Sequence, residues 1–342
     1  MVLELPNQIC KPIRAVRSAA LTSPRWLLMI FLITAVGIGS LVWLRTYLAR
    51  VEREEALRLS EHGYFADAEA KLKRALERNA NDAEVVRALA LGYCSAGRDA
   101  EGELYLRKWC SLQQGQVEPH QRRMDCLERL SKLTEAAGEG EQVLELEPHN
   151  SQLQKRVIIL YIKQGRYADV ERLCRRFLQG QPEHPGLIYF LAEAYHGQGR
   201  NDEAAALLDP LIPAQPNFAA PPMLRAILYC EANDDAKAIA PLRHVLELDP
   251  SNKTAHYYLA QALARTGQAI EAERERDKYL RLDAFERLMT DMDLQPGNLD
   301  LQVRGAAELL KRGRTAEGMQ LLRKVLASDP RHQTARKLML EQ

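Results

Sequence analysis

The chain has 342 residues, 46% of them apolar and 27% charged, which excludes a disordered polymer and leaves room for two or three domains or one long array. Its 47 basic and 46 acidic side chains nearly cancel, so the overall charge gives no pull toward a polynucleotide, and no nucleic-acid partner is expected. Six scattered cysteines (Cys10, Cys94, Cys110, Cys126, Cys174, Cys230) form no C-x-x-C pair, so they read as small apolar filler and no metal or other cofactor is expected.

Residues 1–25 form a tail with Lys11, Arg14, Arg17 and Arg25, followed by the uncharged run WLLMIFLITAVGIGSLVWL over residues 26–44. A helix of that length reaches about 28 Å, close to the ~30 Å hydrocarbon core of a bilayer. Trp26 and Trp43 suit the interfacial belts, so a transmembrane helix is expected here. A cleaved signal peptide is the alternative, but TYLAR beyond the run offers no small-x-small site. Four basic residues on the short tail resist translocation. The expected topology is a single pass with the N-terminus cytoplasmic and residues 45–342 extracytoplasmic.

Beyond the run the sequence repeats itself. LELEPHN (144–150) returns as LELDPSN (246–252), and Pro148, Pro182, Pro216 and Pro250 follow one another at steps of 34 residues. With each proline as position 32, units begin near 49, 83, 117, 151, 185, 219 and 253. Position 8 is small in five of them (Ala56, Ala90, Ala192, Ala226, Ala260), and position 11 is Leu or Tyr throughout. Position 15 is Gly63, Gly97, Gly165, Gly199 and Gly267, replaced by Ser131 and Asn233 elsewhere. The register slips by 12 residues across FERLMTDMDLQP, leaving an insertion at 287–298 before a further unit from 299. QTARKLMLEQ (333–342) reads as a closing helix.

These positions spell a helical hairpin: glycine ends the first helix, small residues let two helices approach, and proline ends the second. Pro210, Pro213 and Pro241 fall inside second helices and are expected to kink or shorten them. Arg123 and Gly140 stand where core residues belong, so unit 117–150 is degenerate and is expected to be distorted or to form a bend, its regularity as a repeat left open.

The pattern resembles the tetratricopeptide repeat over residues 49–342, without the family's tryptophan near the start of the unit. The resemblance implies an all-α, right-handed α-solenoid of about eight helix-turn-helix units behind the transmembrane helix. It also implies a concave groove of first helices that binds a peptide or helix of a partner protein. On that reading Lys155, Ile159, Ile162, Lys163, Tyr189, Glu193, His196, Met223, Ile227, Tyr257, Gln261 and Arg265 line the groove. Alternatively, neighbouring helices or the insertion cover the apolar members. The Lys and Asn pairs with which some members clamp a terminal carboxylate are not recognisable, which argues against a chaperone-tail receptor.

No zincin, Walker, dinucleotide-binding or nucleophile-elbow motif occurs. His149, His184 and His332 fall in turns between units, where a solvated polar residue is ordinary, and His196 has no ligand partners by spacing. The expectation is a membrane-anchored, non-catalytic scaffold or adaptor, with no small-molecule substrate. The alternatives are a structural accessory subunit of a membrane enzyme, envelope-assembly or secretion complex, and an enzyme whose site is dispersed along the groove.

Overall fold

A computed structural model describes the backbone of residues 24–341 and the side chains of residues 36–341, so the basic tail lies outside it. Among the described residues the chain forms seventeen α-helices and no strand. It divides into two compact units, Met1–Glu147 and Pro148–Gln342.

The first unit holds α1 (Pro24–Glu61), α2 (Phe65–Arg78), α3 (Ala83–Ser95), α4 (Asp99–Leu112), α5 (Val117–Arg129) and α6 (Leu133–Leu146). The expected span at 26–44 and the first helix of the first hairpin are parts of one unbroken helix, α1. The side chains of residues 26–35 lie outside those described, and among the described residues no helix is long and apolar enough to cross a membrane. Farther along, α1 leaves Val36, Ile38, Leu41, Val42, Trp43, Leu44 and Leu48 exposed.

The second unit pairs α7 (Ser151–Lys163) with α8 (Tyr167–Leu178), α9 (Pro185–Gly197) with α10 (Asn201–Ala214), and α11 (Ala220–Glu231) with α12 (Asp235–Leu248). It continues with α13 (Lys253–Arg265), α14 (Ala269–Leu294), α15 (Leu299–Lys311), α16 (Thr315–Ser328) and the short α17 (Gln333–Leu340). The first helices α9, α11 and α13 pack on one another in a row.

Every hairpin turns in the same way. The residue at position 15 has a left-handed backbone, from φ 67° at Gly165 to φ 84° at Gly63, and Ser131 (φ 57°) and Asn233 (φ 56°) adopt it too. Its N–H bonds the position 12 carbonyl, as Gly199 does to His196 (2.8 Å), while the next N–H reaches back to position 11, as Arg200 does to Tyr195 (2.8 Å). These two bonds satisfy carbonyls that the helix end would otherwise leave open. The small residues then meet: Ala56 and Ala68, Ala192 and Ala204, and Ala226 and Ala238 are all fully buried.

A second device recurs at the turn. The position 16 arginine lies over the position 11 tyrosine, Arg98 on Tyr93 at 4.5 Å, Arg166 on Tyr161 at 4.6 Å and Arg200 on Tyr195 at 4.1 Å. The same arginines pair with the acid three residues on, Arg166 with Asp169 (2.7 Å) and Arg200 with Glu203 (2.5 Å). Arg98 and Arg200 also reach the preceding hairpin, to Glu69 and Glu171, both at 2.9 Å. Glu69 receives Lys73, the Tyr93 hydroxyl and Arg98, which together hold its carboxyl down at about 2.

First helices are capped at their N-termini by Asp82, Asn150, Asn252 and Asn298, and also by His184 and His332, whose Nδ1 accepts the backbone N–H three residues on. Two of the turn histidines are therefore capping groups rather than merely solvated.

Two expectations about these hairpins need correction. Pro210, Pro213 and Pro241 do not shorten theirs, since α10 and α12 span 14 residues each, the same as α2. The buried faces of those helices (Ala204, Leu208 and Leu211; Ala238, Leu242 and Val245) hold them against the lost N–H donors. The stretch 117–150 is a regular hairpin of 13 and 14 residues. Most of the insertion at 287–298 is helix: α14 simply continues to Leu294, and its extension buries Leu288 and Met292. Gly305 on α15 leaves the space that Met292 fills, since a Cβ there would lie 2.0 Å from its Sδ.

Ser131→Gly should stabilise the first unit and Gly165→Ala should destabilise the second, each by about 1 kcal/mol in urea unfolding, because only glycine enters the left-handed region without a Cβ penalty. Glu69 is depressed in the folded state from the usual 4.5 to about 2, so its contribution is complete above about pH 4.5 and is lost as pH falls toward 2. Glu69→Gln should therefore flatten the acid-side stability profile of the first unit in that window.

Candidate functional site

The twelve groove positions expected from sequence all lie on first helices of the second unit. Lys155, Lys163 and Arg265 are exposed, and Ile159, Ile162, Tyr189, Glu193, His196, Met223, Ile227 and Gln261 are half-buried. Tyr257 is 40% exposed. The apolar stripe is thus less open than a fully solvated wall. Met223 packs against the core shared by α11, α12 and α13, and the Tyr189 ring is tucked between Phe190 (5.5 Å) and Phe218 (5.6 Å).

Glu193 lies one turn along from Tyr189. Burial raises its carboxyl above the usual range, against the opposing pull of the Tyr189 hydroxyl and of His196. His196 points its Nδ1 at Asn201 Oδ1 (3.2 Å) and lies 3.6 Å from Glu231 Oε2, which ties α9 to the end of α11. Arg265 turns to Asp235 at the start of α12 (3.2 Å).

Tyr257 and Gln261 come together in a cleft of about 550 Å³ that α14 closes with Arg276, Tyr279 and Leu280. The Tyr257 ring stands 5.3 Å from both Tyr258 and Tyr279. Sequence reasoning confined to first helices missed the α14 contribution. The mixed-charge run EAERERDKYLRL carried the signal, with Tyr279 and Leu280 at its apolar interruptions.

Arg123, one of the two residues that make unit 117–150 look irregular, belongs to a polar cluster in the first unit. Arg123 bonds buried Glu103 (2.9 Å) and also Glu139; His120 reaches Glu139 (2.6 Å), and Arg107 reaches Glu103 (3.0 Å). Donor atoms of Cys110, His120 and Glu139 lie within 4.8 Å of one another, as do those of Cys94, Asp99 and Cys126. In each group a guanidinium already supplies the positive charge: Arg123 on Glu139, and Arg129 on Asp99 at 2.7 Å. Burial pushes the thiols of Cys110, Cys126 and Cys174 up to about 12, so they are poor nucleophiles as they stand.

Residues 161–228 and 223–286 each match a family model described as tetratricopeptide repeat. Residues 161–286 carry tetratricopeptide repeats. The repeat helices α9, α11 and α13 of that stretch carry eight of the twelve expected groove positions, and Ile162 and Lys163 of α7 also fall within it.

Among solved structures, a tetratricopeptide repeat protein from Parabacteroides merdae ATCC 43184 is 15% identical, over 75% of this chain and 96% of that chain, with a TM-score of 0.46. A chain of the Naa15/Naa10 assembly bound to HypK-THB is 17% identical with a TM-score of 0.43 over 85% of this chain, which spans 43% of its length. MamA 41-end from Desulfovibrio magneticus RS-1 is 18% identical over 59% of this chain and 95% of that chain, with a TM-score of 0.34. No curated protein matches the sequence.

Arg123→Met removes the group that neutralises Glu103 and Glu139, leaving Arg107 and His120 as their remaining partners. Urea unfolding should show a loss of about 2 kcal/mol with an unchanged m-value.

Proposed function

We propose that this protein is a membrane-anchored scaffold that binds a peptide or helix of a partner protein along its tetratricopeptide repeats. The observation that supports this reading is the row of first helices, α9 on α11 on α13, with Tyr257 exposed on the last of them. A row of this kind offers alternating aliphatic, aromatic and charged contacts to one long ligand, with little reorganisation on binding. Tyr257 and Gln261 are the anchoring contacts, Lys155 and Lys163 the charged edge, and the scaffold works without catalysis of its own.

The anchor is the apolar run 26–44. Its support is the part of α1 whose side chains are described, where Trp43 is 67% exposed and Leu41 68% exposed, with apolar neighbours on every side of the helix. Water does not tolerate so large a contiguous apolar surface without a cover, and a lipid phase supplies one. The basic tail places the N-terminus in the cytoplasm and the repeats on the other side.

In affinity capture with the full chain, Tyr257→Ala combined with Gln261→Ala should reduce recovery of specific partners at least about tenfold. Equal recovery by both proteins would remove the groove. Alkaline carbonate washing should leave the full chain with the membrane pellet, and a reporter fused after Gln342 should be active only outside the cytoplasm. Release into the supernatant defeats the anchor, and cytoplasmic reporter activity defeats the orientation.

A further inference from the structure

The lengthening of α14 has a second effect. Twelve further helical residues advance the chain by about 18 Å, so α15 packs on the far part of α14, at Leu288 and Met292, instead of closing directly behind α13. Between Pro250 and His256 on one side and α15 on the other, a cleft of about 750 Å³ stays open. It shares no lining residue with the cleft at Tyr257.

The lining is chemically two-sided. Phe285 and Leu288 make an apolar floor, while Lys278, Arg281, Arg304, Lys311 and Arg312 bring five cations against the single carboxylate of Glu308. Two of the cations are neutralised locally, Lys278 by Glu275 (2.8 Å) and Lys311 by Glu308 (2.7 Å). The arginines are not: among the described residues no ion pair engages Arg281, Arg304 or Arg312. Arg312 is held in place by neutral contacts, stacked 4.1 Å over Phe285 and donating to the Arg281 carbonyl (3.0 Å). Charges of one sign in a cleft with low-dielectric walls focus their field on whatever enters.

We propose that this cleft docks an acidic segment of a partner protein that carries one aromatic or aliphatic side chain. Carboxylates of the segment meet Arg281 and Arg304, and its apolar side chain lies on Phe285. The chain's own N-terminal tail, with Lys11, Arg14 and Arg17 against Glu4, has the wrong charge for the place. An anionic membrane surface fits no better. Helix α14 carries eight acids and five bases, so a flat anionic sheet meets net repulsion from it, whereas a narrow segment inside the cleft meets the arginines. The site is independent of the groove proposed above.

The test is fluorescence anisotropy on the full chain in detergent, with a labelled twelve-residue Asp/Glu peptide containing one central Phe. Binding should be saturable, should weaken as salt rises, and should fall at least about tenfold when the Phe becomes Ser or the acids become Lys. Arg281→Glu with Arg304→Glu should abolish it, the double Lys variant should retain most of it, and Tyr257→Ala should leave it unchanged. Both arginines are exposed, so the helical circular dichroism and melting of these variants should match the parent. The proposal is overturned by absent binding, by equal binding to the double Glu variant, or by Arg281-dependent binding to phosphatidylserine vesicles in place of the peptide.

Discussion

The architecture depends on one backbone state, a left-handed residue fifteen positions into each unit. Seen from Gly63 to Gly313, it turns the chain back within three residues and lets two consecutive N–H groups close the preceding helix. That reversal makes the two helices antiparallel neighbours, and the fully buried alanines then decide how near they come. At Gly102 the approach is so close that a Cβ would stand 2.7 Å from the Cys94 sulfur. Packing, rather than intrinsic helix propensity, stabilises rods of 12 to 14 residues that would be marginal alone in water.

The hairpins were legible because their determinants are local. A glycine, an asparagine or a serine at the turn, an alanine on each facing surface and a proline at the exit leave their spacing in the sequence whatever lies around them. Pairings between hairpins are not written that way. Arg200 reaches Glu171 across 29 residues, and nothing in either residue type announces it. His184 and His332 looked like ordinary turn residues because a ring nitrogen is an infrequent cap, yet each accepts from a helix N-terminus as an asparagine does elsewhere.

The irregular places were harder to read, and for a common reason: a break in the pattern shows where the rule fails and is silent on what replaces it. In unit 117–150, Arg123 supplies no apolar volume, which leaves distortion, a bend or a regular repeat open. Glu103 and Glu139 satisfy it instead, and the hairpin keeps its length. The slip of 12 residues gave no hint that α14 would absorb it as helix. Of the groove positions, Met223 occupies a slot expected to face the groove, but it packs on the core shared by α11, α12 and α13. Tyr257 stays 40% exposed, with α14, its own hairpin partner, forming one wall of the cleft beside it.

Helix α1 carries one further implication. At one end its exposed Leu41 and Trp43 await a cover, and at the other its Ala56 is sealed inside the first hairpin. No glycine lies between Gly39 and Gly63, and no proline or turn interrupts Leu41–Glu61, so the two ends are joined by a stiff shaft without a joint. Whatever grips the outer end therefore acts as a lever on the first hairpin: tilting the shaft tilts Ala56 and the α2 surface it presses against. Thermal wandering of that hairpin is limited by the stiffness of a single rod, where a flexible leash would have let it roam.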